Sequence, residues 1–205
     1  MMFRNTTKTQ PEQVLALARS RGVIRARDLD AIGIPRAILG RLVDRGALLR
    51  IAHGLYMSPD AEVTRHHSLV EVAARVPDGV VNLLSALAFH EITDELPHAV
   101  WLAIRRGSQC PKLDGPALEV TWTAPRFLDL AVTRHQIEGI PVAVTDPART
   151  VVDCFKFRSR VGLDVAIDAL RSFLATSRQG RDELWELAGA CRVRTVMRPY
   201  LESLS

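Results

Sequence analysis

Four glycines, Gly22, Gly33, Gly46 and Gly54, cut the first sixty residues into pieces too short for anything but a compact set of small elements. "PEQVLALARSRG" places Val14, Leu15, Leu17 and Ala18 on one stripe, with Pro11 suited to a first helical turn and Gly22 as a stop. "VIRA" has room for only a very short strand. "ARDLDAIG" reads as a second short helix closed by Gly33, and "IPRAILGRLVDRG" as a third, from Pro35 to Arg45, ended by Gly46. Leu48, Leu49 and Ile51 then lead into Ala52-His53-Gly54, and Leu55-Tyr56-Met57 lead out toward Pro59. Two apolar runs about a Gly-bearing turn are a hairpin signature.

Helix, strand, helix, helix, hairpin is the order of a winged helix-turn-helix. In the third helix, a turn of about 100° per residue puts Ile34, Ile38, Leu39, Leu42 and Val43 on one arc, and Arg36, Ala37, Gly40, Arg41 and Asp44 on the other. An outer face of small residues and two arginines suits a helix that settles into a DNA major groove. The hairpin then supplies the wing, with Arg50 and His53 beside the groove as phosphate or minor-groove contacts. The bland reading of the same residues is a solvated helix face, and His53 fits equally a turn residue without a partner. Charge placement favours the first. Residues 1–60 carry ten Lys/Arg against five Asp/Glu, a net of +5, whereas residues 61–205 carry seventeen against eighteen, a net of −1. Arginine abundance says little in itself, since the 24 Arg against 3 Lys suggest a GC-rich genome. A basic segment joined to a neutral one does suggest a polyanion-binding module attached to something else.

The sequence therefore divides into residues 1–60, expected to bind DNA, and residues 61–205, with "SPDAEVTRH" as linker. In the second part "HHSLVEVAARVP" reads as a helix, and "VVNLLSALAFHEI" as an extended start followed by a helix that Ser85 would cap. "HAVWLAI" and "ALEVTWTA" are strand-like and bracket a Gly- and Pro-bearing loop. "RHQIEGIPVAVTD" reads as a hairpin turning at Glu138-Gly139. Four helices follow, in "DPARTVVDCFKF", "GLDVAIDALRSFLAT", "RDELWELAGA" and "RVRTVMRPYLESL". The fold class is α+β: a winged helix-turn-helix, then a mixed α/β domain with a helical C-terminal third. No run approaches the roughly 18 apolar residues of a membrane span. "MMFRNTTKTQ" lacks the apolar core of a signal peptide, so a cytoplasmic protein without membrane contact is expected.

The second part offers no set of catalytic or metal-ligating groups. Gly107-Ser108 and Glu119 resemble the start of a nucleotidyltransferase motif, but Thr121 stands where the second carboxylate is needed. A restriction-type nuclease needs a carboxylate and then Glu-x-Lys or Asp-x-Lys, and Asp153 and Lys156 are one residue too far apart. His66 and His67 are adjacent and point to different sides of a helix, and His90, His98 and His135 lack partner spacing. Cys110, Cys154 and Cys191 form no ligand or disulfide pattern. Neither enzymatic activity nor a cofactor or metal is expected. The conspicuous polar cluster is "VTDPARTVVDC": Asp146 before Pro147 fits an N-cap, Arg149 and Asp153 are spaced to pair, and Thr150 lies on nearly the same side. Either it is a capped helix with an internal ion pair, or Asp146, Arg149, Thr150 and Asp153 form a patch that recognises a partner or ligand.

Three stretches carry a resemblance. "GALLRIAHGLYM" resembles the winged-helix end of AbiEi-type antitoxins, "VVNLLSALAFHEI" the start of their C-terminal domain, and "VTDPARTVVDC" the motif that marks that domain. The resemblance implies a DNA-binding antitoxin of a type IV toxin–antitoxin system. Such a protein represses its own operon by binding double-stranded operator DNA and neutralises a nucleotidyltransferase-like toxin without a stable complex. The C-terminal domain would serve antitoxicity and support cooperative DNA binding. The chain lacks the carboxylate–lysine pattern of relatives that carry a Vsr-like nuclease domain. The alternative is a stand-alone winged-helix regulator with a ligand-sensing or oligomerisation domain.

Overall fold

A computed structural model describes residues 9–177 and 180–204. They form two compact units: residues up to Arg75 together with Gln136–Pro141, and Val76–His135 together with the residues from Val142 on.

The first unit starts with α1 (Gln10–Arg21), whose entry is fixed by the Thr9 N–H donating to the Glu12 carboxylate at 2.7 Å. Gly22, at φ 83°, ends it, and β1 (Val23–Arg25) follows. The next segment, read in the sequence as an ordinary short helix, is a 3-10 helix over Ala26–Ile32. The reason lies in its ends: the Arg25 N–H donates to Asp28 at 2.8 Å, and the Gly33 N–H closes back on Asp30 O at 3.2 Å, which suits the tighter winding of a short connector. Then come α2 (Ala37–Asp44), β2 (Leu49–Ala52) and β3 (Leu55–Met57). The three strands form an antiparallel sheet in the order β1-β3-β2, with Ile24 and Arg50 both opposite Tyr56. The register slips between Arg50 and Ala52, which twists the wing just before its turn. Val14, Ala18, Ile24, Leu29, Ile34, Ile38, Leu39, Leu42 and Leu48 form the core, so each short element contributes to one cluster. The order and sheet are those of a winged helix.

The same unit holds α3 (His67–Arg75). The Glu138 carboxylate accepts the Thr64 N–H and O–H, each at 2.8 Å, and His67 Nδ1 at 2.7 Å. His67 Nε2 faces Glu71 at 3.3 Å. Glu138 and Gly139, both at positive φ (48° and 78°), make the two-residue turn read in the sequence. Gly139 has a further reason to lack a side chain: a Cβ there would lie 2.0 Å from Arg21 O.

The second unit is built on a five-stranded mixed sheet. In chain order its elements are β4 (Val80–Val81), α4 (Leu83–Phe89), β5 (Val100–Arg105), β6 (Leu118–Thr123), the short α5 (Pro125–Leu128), β7 (Val132–Ile137) and β8 (Ile140–Thr145). Then come α6 (Pro147–Lys156), the short α7 (Arg158–Val161), α8 (Leu163–Thr176), α9 (Gly180–Ala190) and α10 (Arg194–Ser203). The strand order is β6-β5-β4-β8-β7, with β5 and β6 parallel, β4 and β5 antiparallel, and β4 and β8 parallel. The helical C-terminal third wraps α6, which packs against α4, α8 and α9, and every residue from Ala148 to Phe155 is buried. Ser85 does not cap α4. The extended run continues through Asn82, which takes the cap position at φ −142°, so Ser85 falls inside the helix. It is buried there, and its hydroxyl accepts the Trp101 N–H at 2.9 Å, tying α4 to β5. Among the described residues no helix is long and apolar enough to cross a membrane.

Candidate nucleic-acid interface

The two arcs of α2 stand as its period requires. Ile34, Ile38, Leu39 and Leu42 are buried and Val43 partly so, whereas Arg36, Ala37, Gly40, Arg41 and Asp44 are all exposed. A Cβ added at Gly40 would meet nothing within 4 Å, so no packing within the chain demands a glycine there. The result is a low surface over which backbone can approach a ligand closely, with arginines at both ends.

Those two arginines are not equivalent. Arg36 sits at the N-cap of α2, and its Nε donates to Asp30 Oδ1 at 2.9 Å while Nη2 bonds Oδ2. This fork-to-fork pair bridges the Gly33 turn; its hydrogen bonds, followed by its charge, draw the Asp30 carboxyl below its ordinary range and raise the Arg36 guanidinium. Arg41 is exposed and has no side-chain partner among the described residues. The Arg36–Asp30 pair is not legible from sequence spacing, because a separation of six across a turn belongs to no helical rule. On the wing, Arg50 Nη2 donates to His53 Nδ1 at 3.1 Å, so the imidazole must keep Nδ1 unprotonated. Gly54, at φ 72°, makes the turn, and its carbonyl accepts the Ala26 N–H at 2.8 Å, which anchors the wing tip to the 3-10 helix.

The polar cluster of the second unit is mostly interior. Arg149 Nε donates to Asp153 Oδ2 at 2.9 Å and Nη1 to Leu130 O at 2.8 Å, with side chains only 3% and 4% exposed. Burial outweighs the neighbouring guanidinium and holds the Asp153 carboxyl above its ordinary range, and among the described residues its Oδ1 has no hydrogen-bond partner. The Thr150 hydroxyl sits among Thr145 O (3.0 Å), Asp146 O (2.9 Å) and the Thr145 hydroxyl (2.8 Å). Asp146 occupies the N-cap position, but its carboxylate does not cap; Oδ1 accepts the Thr133 O–H at 2.7 Å. A neighbouring strand thus overrides the local rule. Of these four residues, Arg149, Thr150 and Asp153 are buried and only Asp146 is open to solvent in part. No group of three or more His, Cys, Asp or Glu among the described residues is placed to hold a metal ion.

Comparison with known proteins agrees with the N-terminal geometry. Residues 12–59 match the family described as "Transcriptional regulator, AbiEi antitoxin", the family that the sequence resembles. This is a family of regulators, and the matched segment holds α1 through the wing. No curated protein matches the chain. Among solved structures, the RV2827C protein from Mycobacterium tuberculosis is similar with a TM-score of 0.56 over 86% of this chain and 70% of that one. At 18% identity that likeness shows the fold alone.

Proposed function

We propose that the protein is a DNA-binding antitoxin of a type IV toxin–antitoxin system, which represses its own operon and counters a nucleotidyltransferase-like toxin. Residues 1–60 supply the DNA contact, with Arg41 reading bases and Ala37 and Gly40 allowing close approach. Arg36 is positioned by Asp30, and Arg50 and His53 fix the wing on the backbone. Residues 61–205 serve antitoxicity. The observation that carries this reading is the outer face of α2: exposed, small at Ala37 and Gly40, carrying Arg41 without a partner among the described residues, and lying within the segment that matches the regulator family.

The test is a binding titration on operator and random DNA over a salt series. Phosphate contacts release counterions, so affinity should fall steeply as salt rises. Arg41→Ala should lose about 1–3 kcal/mol on the operator and much less on random DNA, because a base contact discriminates. Arg50→Ala should weaken both DNAs alike and reduce the salt slope by about one unit. Equal losses on the two DNAs for Arg41→Ala would show that α2 is not the reader.

A further inference from the structure

The second unit contains a cleft of about 680 Å³ that the proposed function does not use. Five cationic residues line it: Arg106 after β5, Arg126 on α5, Lys156 at the end of α6, Arg158 on α7, and Arg192 between α9 and α10. Among the described residues no acidic side chain lines it and none of the five forms a salt bridge, although Lys156 feels the charge of the buried Asp153 behind it. Cations brought this close repel one another, and a fold gains nothing from gathering them without a counter-charge. Here the gathering is built in. Arg126 Cζ and Lys156 Nζ lie 4.7 and 5.0 Å from the same Phe127 ring centroid, so one aromatic ring meets both.

Aromatic rings line the cleft as well. Trp122, one of them, is 46% exposed, a high value for an indole, and its Nε1–H donates to Ser108 O at 3.0 Å. That bond spends the polar edge of the indole and leaves its π-surface for contact. Cys191 and Val193 line the cleft as buried residues, and burial pushes the Cys191 thiol up, so it adds no negative charge. The volume is that of a small-molecule pocket, usually about 300–1,000 Å³.

We infer that this cleft binds a nucleoside phosphate, with the base against Trp122 and the phosphate among Arg106, Arg126, Lys156 and Arg192. Gathered positive charge without a salt bridge among the described residues asks for a multivalent anion, and an exposed indole asks for a flat ring; a nucleotide joins both in one molecule. The same chemistry is presented by a free mononucleotide and by the phosphorylated end of a single strand. The site lies wholly in the second unit and does not depend on DNA binding by the first.

The experiment is calorimetric titration of the full-length protein with AMP, GMP, CMP and UMP, with adenosine and inorganic phosphate as part-ligands, and with a 5′-phosphorylated single-stranded tetranucleotide. At least one mononucleotide or the tetranucleotide should bind with a dissociation constant below about 1 mM and more tightly than either part-ligand. Arg126→Glu should weaken that binding about tenfold or more, and Trp122→Ala should weaken nucleotide but not phosphate binding. Arg41→Ala should change neither. Should Arg126→Glu fail to fold by its urea transition, Arg192→Ser at an exposed position serves instead. Binding by the tetranucleotide alone, with the same variant dependence, assigns the site to a strand end and sustains the inference. Phosphate binding as tightly as any nucleotide, affinity unchanged in Arg126→Glu and Arg192→Ser, or no binding by any of these probes overturns it. So does the case in which cleft variants lose only the neutralisation of toxin in cells, since that points to an acidic protein surface instead.

Discussion

Removing the Asp153 carboxylate while leaving Arg149 in place gives the sharpest test of what the buried pair on α6 does. In Asp153→Ala the Arg149 guanidinium, 3% exposed, keeps Leu130 O at 2.8 Å but loses the 2.9 Å bond at Nε and the one carboxylate it pairs with among the described residues. Little water can replace that partner at such burial. Breaking a buried pair from one side typically costs about 3–5 kcal/mol, a large share of the roughly 5–15 kcal/mol that holds a domain folded. With a urea slope of about 1–3 kcal/mol/M, the unfolding midpoint should fall by about 2 M. Replacing both partners, Arg149→Met with Asp153→Leu, should do far less harm. The carboxylate is already imperfectly satisfied, with Oδ1 unpartnered, so the native pair recovers only part of its desolvation cost. The double variant should be neutral or up to about 4 kcal/mol more stable. Urea unfolding followed by fluorescence, with Trp101 buried in the same core cluster as a reporter, measures both. A midpoint unmoved in Asp153→Ala would refute the argument from burial. A double variant that folds well but fails to neutralise toxin in cells would make the cluster a recognition patch after all.

Three further outcomes follow from particular contacts. Asp30→Asn removes a negative charge beside α2 and frees the Arg36 guanidinium, so affinity for operator DNA should rise at fixed salt; a fall in a gel-shift titration would place Arg36 outside the interface. Gly139→Ala should lower stability by about 1–3 kcal/mol or more, read from thermal unfolding, because the φ of 78° is strained for an L residue and Arg21 O leaves no room for a Cβ. Finally, stability should fall with acid. Burial first, against the bond to Thr145 O, holds His90 below the ordinary 6.5, so the unfolded chain binds that proton more tightly; the contribution is present above pH 6.5 and is lost as pH falls through the folded value. Glu138 adds a second loss below its ordinary 4.5, since the bonds from His67 and Thr64 outweigh its burial and lower it. His90→Gln should remove the upper of the two losses in a pH series of urea midpoints.

Local chemistry was readable in the sequence wherever a single residue type forces a local geometry. The glycines at 33, 46 and 54 stand at φ 66°, 68° and 72° and mark the ends and turn of the winged helix, and Glu138-Gly139 turns the later hairpin. The apolar period of α2 sorted its faces because one side of that helix meets solvent. Reading failed where a residue's partner is distant in the chain. Asp146 stood at a cap position but bonds Thr133 on β7, and Ser85 fitted a cap pattern that Asn82 fills. For α6 the pattern suggested a helix with a polar side, yet α4, α8 and α9 cover it all round. Apart from Asp153 Oδ1, its buried polar groups Arg149, Thr150 and Asp153 bond one another, Thr145 and nearby carbonyls, which no periodicity reveals. The basic cleft shows the same limit, since its cations come from separate loops and helix ends that only the tertiary fold brings together.

Charge counted along a chain is therefore not charge available to a ligand. Of the cations among the first sixty residues, Arg25 and Arg36 are held by Asp28 and Asp30, so each pair presents little net field. Arg41 on α2, Arg45 just after it and Arg50 on the wing have no carboxylate partner among the described residues and are all exposed. The same holds for Arg19 and Arg21 on α1 and Arg27 in the 3-10 helix, whereas the two neutralised pairs lie at or before the start of α2. Each phosphate neutralised contributes about 0.9 to the salt slope, so the free cations, rather than the formal charge of the segment, set how steeply binding falls with salt.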